Sequence, residues 1–522
     1  MARPYTITTA ISYPNGRPHI GHAYEAIATD AFARFQRMNG RDVFFQTGTD
    51  EHGLKMDQTA RARGITPREL ADEMSSYFKE MANKLAISYD RFIRTSEPDH
   101  IRASQAIWQA MEKKGDLYLG RYEGWYSVRD EAFYDEKELV DGEGEEKLSP
   151  QGTPVTWTVE ESWFFRLSAY QQKLLDLYAA NPDFIRPESR RNEIMRFVEG
   201  GLADLSVSRT SFDWGVPVPG AQGHVMYVWV DALTNYLTGC GYPDDAERMA
   251  RYWAEGGDIT HIIGKDIVRF HTVYWPAFLM SADLPLPKQV FGHGFLLNRG
   301  QKMSKSLGNV ADPLELADRF GVDQLRYFLL SEVTFGNDGS YSAEAIVGRA
   351  NSDLANSFGN LAQRTLSFIA KNLAGALPSG GGVAEVDAAL LAQVRTAGTE
   401  FAAAMEDLAP SQAIEAWMRA VFACNAYIDA QAPWALRKTD PERMEAVLAT
   451  LYEAIGTLAA MIQPVIPASA AALLDAMGVP ADARGYAAMT QGGWYAGLRA
   501  SGFVLPPPTP LFPRLELPAE TE

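Results

Sequence analysis

Four histidine and lysine positions carry the clearest chemistry in this sequence. Pro14-Asn15-Gly16-Arg-Pro-His19-Ile-Gly21-His22 places two imidazoles where a strand-like run gives way to helical spacing. A helix start offers backbone N–H groups and a positive dipole end, and ring N–H donors add to both, so the chemistry suggested is phosphate binding. Gly21 removes a side chain where a flat ring needs close approach to the backbone. Taken alone, such a tetrapeptide equally describes a helix N-terminus with two structural histidines. A second run, Gly300-Gln-Lys302-Met303-Ser304-Lys305-Ser306, follows the last strand-like segment and is too polar for a core. Its two lysines can neutralise a polyphosphate and a leaving pyrophosphate, and its small residues let a loop move. A carboxylate, Asp50 in Thr47-Gly-Thr-Asp-Glu-His-Gly53, can hold an ammonium group or cap a turn.

The elements that must position these groups alternate. Residues 5–11 and 42–47 read as short buried strands, and Gly21 to Met38 repeats its apolar residues every fourth position through Ala23, Ile27, Ala31 and Phe35. Strand, helix, strand opens a parallel α/β layer of the Rossmann type. Strand-like runs return at 259–263 and 289–296, so the layer is split. We divide the chain into a first catalytic half (1–115), an aromatic and charged insertion (116–226), a second catalytic half (227–300), the lysine loop with its following segment (301–349), a helical domain (350–500) and a Pro-rich tail (501–522). The tail cannot be helical throughout, and docking on the catalytic half is expected of it. No internal repeat or low-complexity tract is present.

Composition narrows the class. The chain has 522 residues, 46% hydrophobic and 22% charged, which suits several ordered domains. Its net charge of −18 argues against a nonspecific nucleic-acid coat while allowing one folded RNA to be read through restricted patches. Two distant cysteines, Cys240 and Cys424, exclude a disulfide scaffold and a four-cysteine zinc site. The start runs directly into strand-like sequence without a signal region, so a cytoplasmic location is expected. Ala454 to Leu474 is uncharged and long enough to raise a membrane span, but Gln463, Pro464, Pro467 and Ser469 interrupt it. A buried helix pair and no membrane contact are expected.

Two further helix faces are informative. Trp229, Ala232, Leu233 and Tyr236 share one face of a helix, and Ile267 and His271 lie one turn apart in Gly264-Lys-Asp266-Ile-Val-Arg-Phe-His271. Asn356, Asn360 and Arg364 form a polar stripe opposite Leu354, Phe358 and Leu361. Such a stripe is commonly a solvated face, yet amides and guanidinium are the groups that read unpaired bases, and an exposed Trp434 after Pro433 can stack on one.

His19-Ile-Gly-His22 followed by Lys302-Met-Ser-Lys-Ser306 resembles the paired signatures of class I aminoacyl-tRNA synthetases, and the chain from Tyr5 to about Pro467 resembles the methionyl-tRNA synthetases. The resemblance implies a Rossmann-type catalytic domain split by a connective insertion, then an α-helical bundle that binds the anticodon. It implies ATP with Mg²⁺, L-methionine and both initiator and elongator tRNA(Met) as substrates. His19, His22, Lys302 and Lys305 would be catalytic. Pro14, Asn15, Gly16, Gly21, Gly264, Asp266, Phe295, Met303 and Ser304 would join them around ATP. Ile11, Tyr13, Asp50, Trp229, Ala232, Leu233, Tyr236, Ile267 and His271 would form the methionine pocket, with Tyr13 and His271 offering polar groups near the sulfur. Asn356, Asn360, Arg364, Pro433 and Trp434 would read the anticodon. Asp323-Gln-Leu-Arg-Tyr-Phe328 resembles the family's linker against the inner side of the tRNA.

The sequence departs from many relatives in one respect. They carry cysteine pairs in the insertion that hold zinc, whereas this chain has none there, so no metal ligand is assigned and a zinc-free insertion packed around Tyr122, Trp125, Tyr126, Phe133 and Tyr134 is expected. With the chain ending near residue 522, no extra C-terminal domain of the kind that dimerises some relatives is expected, and a monomer is expected with it. Synthetases for leucine, isoleucine or valine usually carry a larger editing insertion, and the cysteinyl enzyme needs metal ligands. A small-molecule adenylyltransferase would not need the helical half, and a non-catalytic RNA binder would have lost the lysines or histidines.

Overall fold

A computed structural model describes residues 2–130, 132–142, 144, 146–298, 300 and 310–517. The run from Lys302 to Lys305 lies outside the described residues. The first half alternates β1 (Pro4–Thr9), α1 (Ile20–Met38), β2 (Asp42–Thr49), α2 (Leu54–Arg63), α3 (Pro67–Lys84), β3 (Arg91–Arg94) and α4 (Pro98–Lys114). The insertion contributes β4 (Leu117–Ser127), β5 (Ala132–Tyr134), β6 (Thr156–Phe165), β7 (Ile185–Arg186) and β8 (Leu205–Ser206). The second half adds α5 (Val228–Gly239), β9 (Ile259–Gly264), α6 (Trp275–Ser281) and β10 (Gln289–His293).

These strands make one six-stranded parallel sheet in the order β3-β2-β1-β9-β10-β7. Strands β1 and β9 are buried almost throughout, as a parallel sheet covered on both faces requires. The order runs outward in both directions from the β1–β9 pair, so their C-terminal ends open a switch-point crevice, the usual ligand position in such sheets. Strands β8, β6, β4 and β5 form a separate sheet, dominated by the long antiparallel β4–β6 hairpin. The 116–226 stretch is not wholly separate from the catalytic layer, because Ile185–Arg186 pairs with β10 as its edge strand. Two residues are too short for periodicity to reveal.

Beyond residue 310 the chain is mainly helical, apart from a short strand at Gly339–Tyr341 and the Pro-rich tail; its helices include α7 (Val322–Glu332), α8 (Asn360–Asn372), α9 (Glu385–Glu406), α10 (Pro410–Gln431), α11 (Pro433–Thr439), α12 (Pro441–Ile462) and α13 (Pro467–Ala476). Helix α12 is long and apolar enough to cross a membrane, but 83% of that window is buried against its neighbours. Residues Ala350–Gly359 before α8 form a π-helical run. A Cβ at Gly359 would lie 2.9 Å from the Leu354 carbonyl oxygen, so glycine permits the wide turn. The tail docks on this helical region rather than on the catalytic half. Leu505 donates its N–H to Gly375 at 2.8 Å, Phe512 packs over Gly359, and Leu515 exchanges two 2.8 Å bonds with the Asn351 amide.

One buried ion pair joins these parts. Arg326 on α7 is fully enclosed; it donates to Asp30 on α1 at 2.7 Å, to Leu85 O at 3.1 Å, and to Pro464 O and Val465 O at 3.0 Å. Asp30 also accepts from Arg34 at 2.7 Å and from the Ser88 N–H and hydroxyl, both at 2.6 Å. Burial alone would raise the Asp30 carboxyl, but Arg326, Arg34 and Ser88 together hold it below its ordinary range. The segment 323–330 is therefore core: Asp323, Gln324 and Arg326 are all buried, which corrects the expectation that it faces tRNA. Removing one partner of a buried pair strands the other. Arg326→Met is expected to lower unfolding free energy by about 3–5 kcal/mol in urea titration. Arg102→Ala, at the exposed Arg102–Asp244 pair, is expected to lower it by under about 1 kcal/mol.

Candidate active site

Helix α1 starts at the mouth of the crevice with a reciprocal cap made of histidines. His19 Nδ1 accepts the Gly21 N–H at 3.1 Å, and His22 Nδ1 accepts the His19 N–H at 3.1 Å. The rings lie 3.9 Å apart. An Nδ1 that accepts from a backbone amide carries no proton, so each neutral ring holds its proton on Nε2. A Cβ at Gly21 would sit 2.9 Å from His19 Cε1, so the glycine makes room for the folded-back ring.

The amides of this helix start are spent internally. Ile20 N–H bonds Ala311 O at 3.0 Å, Gly21 N–H bonds the His19 ring, and the N–H groups of His22 and Ala23 return to His19 O at 2.9 and 3.2 Å. The sequence expectation that backbone N–H groups receive phosphate here is corrected: the helix supplies its dipole and two imidazoles. Pro14 is buried, while Asn15 and Gly16 are half-buried between β1 and this cap. Across the crevice, Gly264 ends β9, and a Cβ there would lie 2.6 Å from the Asp266 carboxylate. Glu25, one turn after His22, pairs with His293 at 2.8 Å. Burial, opposed by His293 and reinforced by Asp266, raises the Glu25 carboxyl above its ordinary range. Phe295 donates its N–H to Asp338 at 2.8 Å and lies 4.6 Å below the Lys265 ammonium.

Beside the crevice, α5 and the π-helical turn Phe270–Tyr274 build an aromatic wall. Trp229 stacks on Phe270 at 3.9 Å and 8°. Tyr236 donates its hydroxyl to His271 Nε2 at 2.6 Å, because His271 Nδ1–H is given to Ile267 O at 3.0 Å. Tyr236 also stacks on His261 at 4.0 Å, and Trp275 donates to His261 Nε2 at 3.3 Å while Thr8 bonds its Nδ1 at 2.8 Å. Burial raises the Tyr236 phenol, with further contributions from Glu25 and Asp50. The Asp50 loop is tied to α5 by the 2.6 Å bond between His52 and Asp231; the Asp50 carboxylate is buried and its N–H bonds Ser12 O at 2.9 Å. Ala232 and Leu233 are buried beside Tyr236, and Ile11 and Ile267 are half-buried. Tyr13 accepts the Met56 N–H on its hydroxyl at 3.1 Å, at the α2–α3 side. His271 has both ring nitrogens committed to protein partners, so it serves the wall rather than presenting a donor.

The insertion roofs this wall: Tyr134 and Val155 pack on Phe270, with Trp125, Trp229 and Ile267 at the margin. Its tip is held by oxygen atoms. Asp130 accepts the hydroxyls of Tyr134 at 3.1 Å, Ser149 at 2.8 Å and Thr153. The side chains of Tyr122 and Phe133 lie outside the described residues. Among the described residues no group of three or more His, Cys, Asp or Glu could hold a metal ion.

In the helical domain, Asn356 and Asn360 are exposed and Arg364 is half-buried. The Arg364 guanidinium sits 5.4 Å from the ring of Trp434, which is 47% exposed, and pairs with Asp429 at 2.8 Å. A cleft of about 250 Å³ lies between Arg364, Phe368, Lys371, Pro433 and Trp434.

A split parallel sheet with a histidine-capped helix at its switch point, followed by a helical domain, defines the class I tRNA synthetases. The family model described as tRNA synthetases class I (M) matches residues 5–366, and that for the anticodon binding domain of methionyl tRNA ligase matches residues 377–514. A methionine–tRNA ligase of Brucella suis biovar 1 is 61% identical over 510 residues, covering 98% of each chain. Methionyl-tRNA synthetase of Mycobacterium tuberculosis in complex with methionyl-adenylate superposes with a TM-score of 0.93 at 55% identity, covering 98% of this chain and 100% of that one. The free form of that enzyme superposes at 0.87 with 51% identity and 99% coverage of both. The chain belongs to the methionyl-tRNA synthetase family. Its activity is the ATP-dependent activation of L-methionine to methionyl-adenylate and transfer of the methionyl group to tRNA(Met).

Sequence reasoning missed His261, Thr8, Glu25, His293, His52, His100 and Asp231. For Glu25, Asp231, His261 and His293 the available signal was a charge or imidazole inside an otherwise apolar segment, which implies a buried partner; Thr8, His52 and His100 carried no such signal. Burial lowers the His271 ring to about 4 from 6.5. The folded ring stays neutral down to that value while the unfolded ring takes a proton near 6.5, so the unfolded chain binds more protons in between and stability falls as pH drops through this window. Between pH 7 and 5, wild type is expected to lose about 2 kcal/mol more unfolding free energy than His271→Gln, measured by urea titration.

Proposed function

We propose that the two reaction steps are carried by positioning and charge stabilisation, with no side chain acting as nucleophile. The methionine carboxylate attacks the α-phosphorus of ATP in line, forming the adenylate and releasing pyrophosphate. The 2′-hydroxyl of the tRNA's terminal adenosine then attacks the carbonyl and AMP leaves. His19 and His22 donate Nε2–H to charge growing on the α-phosphate, and Lys302 and Lys305 neutralise the departing pyrophosphate. Mg²⁺ arrives with ATP as part of the substrate. Gly264 and Asp266 accommodate the nucleoside beside Pro14, Asn15, Gly16 and Phe295, and Asp50 binds the methionine ammonium. The wall of Trp229, Ala232, Leu233, Tyr236, Ile267 and His271, with Ile11 and Tyr13 nearer the mouth, encloses the thioether. Its aromatic surfaces suit a polarizable sulfur. The convergence of the histidine cap, the Asp50 loop and the aromatic wall at one sheet switch point carries this reading.

For the tRNA end we assign Asn356, Asn360, Arg364, Pro433 and Trp434 to the unpaired anticodon bases of both initiator and elongator tRNA(Met), with a base stacked on Trp434. The insertion works without zinc, the Asp130 hydrogen bonds supporting its tip, and the enzyme acts as a cytoplasmic monomer. The test is exchange of labelled pyrophosphate into ATP across all twenty amino acids, followed by aminoacylation. Methionine alone is expected to support exchange. Trp434→Ala should keep that exchange and lose at least about tenfold in kcat/KM for tRNA. Exchange with another amino acid, or an equal loss in both assays, contradicts the assignment.

A further inference from the structure

We propose that Asp231 is a positioning residue that fixes the separation between the ammonium-binding carboxylate and the aromatic wall of the methionine pocket. This rests on the pocket assignment above.

Asp231 lies two residues after Trp229 on α5, a helix that is buried along nearly its whole length. Its carboxylate is fully buried and bonds an imidazole with each oxygen: His52 Nδ1 at 2.6 Å and His100 Nε2 at 2.6 Å. His52 follows Asp50 by two residues, on the loop after β2. His100 belongs to α4 and bonds Thr238, at the far end of α5, through Nδ1 at 3.0 Å. One carboxylate thus ties the Asp50 loop and α4 to the helix that carries Trp229, Leu233 and Tyr236.

The rest of the loop is held to the sheet and to Trp214, so the His52–Asp231 bond is its direct link to the helix that carries the wall. Glu51 is held by Arg94 at 2.6 and 3.1 Å and by Thr49 at 2.8 Å, all on β2 and β3. His52 packs edge-on against Trp214, whose indole N–H bonds Glu51 O at 2.6 Å. Asp50 is therefore flanked by one residue anchored to the sheet and another anchored to α5. Lower down, Gln46 of β2 bonds the Asn235 carbonyl and amide oxygens at 3.0 and 2.6 Å, so α5 is attached to β2 at two levels. An apolar packing pair would serve stability as well as a desolvated carboxylate between two imidazoles. A rigid hydrogen-bonded link is what a pocket that must grip an ammonium and a side chain at once requires.

The test is pyrophosphate exchange with methionine and ATP varied separately. Asp231→Asn, nearly isosteric, cannot accept from both imidazoles; it is expected to raise the methionine KM about tenfold with the ATP KM within about twofold. His52→Ala should do the same, and His52→Asn, whose amide nitrogen takes the place of Nδ1, should restore the methionine KM to within about threefold of wild type. If Asp231→Asn does not fold, the two His52 variants decide, since both keep Asp231 bonded to His100. Unchanged methionine KM in Asp231→Asn and His52→Ala, or a lower kcat with both KM values unchanged, overturns the proposal. Asp50→Ala separates the two readings. If it raises the methionine KM while Asp231→Asn does not, only the positioning role fails. If it leaves the methionine KM unchanged, the pocket assignment itself fails.

Discussion

The Asp30–Arg326 pair is the interaction on which the other arrangements depend. Helix α1 carries the histidine cap at one end and Asp30 in its buried middle, so whatever fixes Asp30 fixes the cap. Arg326 reaches it from α7, the second helix after the lysine loop, and also donates to Leu85, Pro464 and Val465. One guanidinium therefore joins the catalytic layer, the segment after the loop and the helical domain. A charge fully removed from water is tolerated here because its four hydrogen bonds all end on oxygen, one of them a carboxylate.

The same economy shapes the reaction site. The α1 amides are closed by His19, its own carbonyl and Ala311, which leaves imidazoles rather than backbone to face a phosphate. In the pocket, Tyr236, His271, His261 and Thr8 satisfy one another. In the methionine pocket proposed above, the surface left for a substrate side chain is then mainly ring face and edge, chemistry suited to a thioether and poor for a charged or strongly hydrogen-bonding one. Polar groups in this pocket act by holding rings still.

Much of this was legible in the sequence, and the failures have physical causes. The strand–helix–strand start, the split sheet and the buried α12 followed from periodicity and from the Pro interruptions after residue 462. The pairing of His19 with Gly21 could not, because cap geometry depends on ring orientation. Arg326 sits in Leu-Arg-Tyr-Phe, where an arginine reads as solvent-facing, and only a partner 296 residues earlier explains its burial. Asp231 was legible as an anomaly, a charge in an apolar helix, but its partners lie 179 and 131 residues away. The tail's docking on Asn351 and Gly359 rested on contacts that a Pro-rich composition does not specify.

The role proposed for His19 is to act through Nε2 on charge that develops only in the transition state. His19→Asn isolates that atom, since the asparagine oxygen can still cap the Gly21 N–H while nothing replaces Nε2. Single-turnover formation of methionyl-adenylate in this variant is the direct measurement. The rate constant should fall by about 10²–10³ with apparent affinities for ATP and methionine within about threefold of wild type. A rate constant close to wild type, or a loss confined to ATP affinity, would contradict the account.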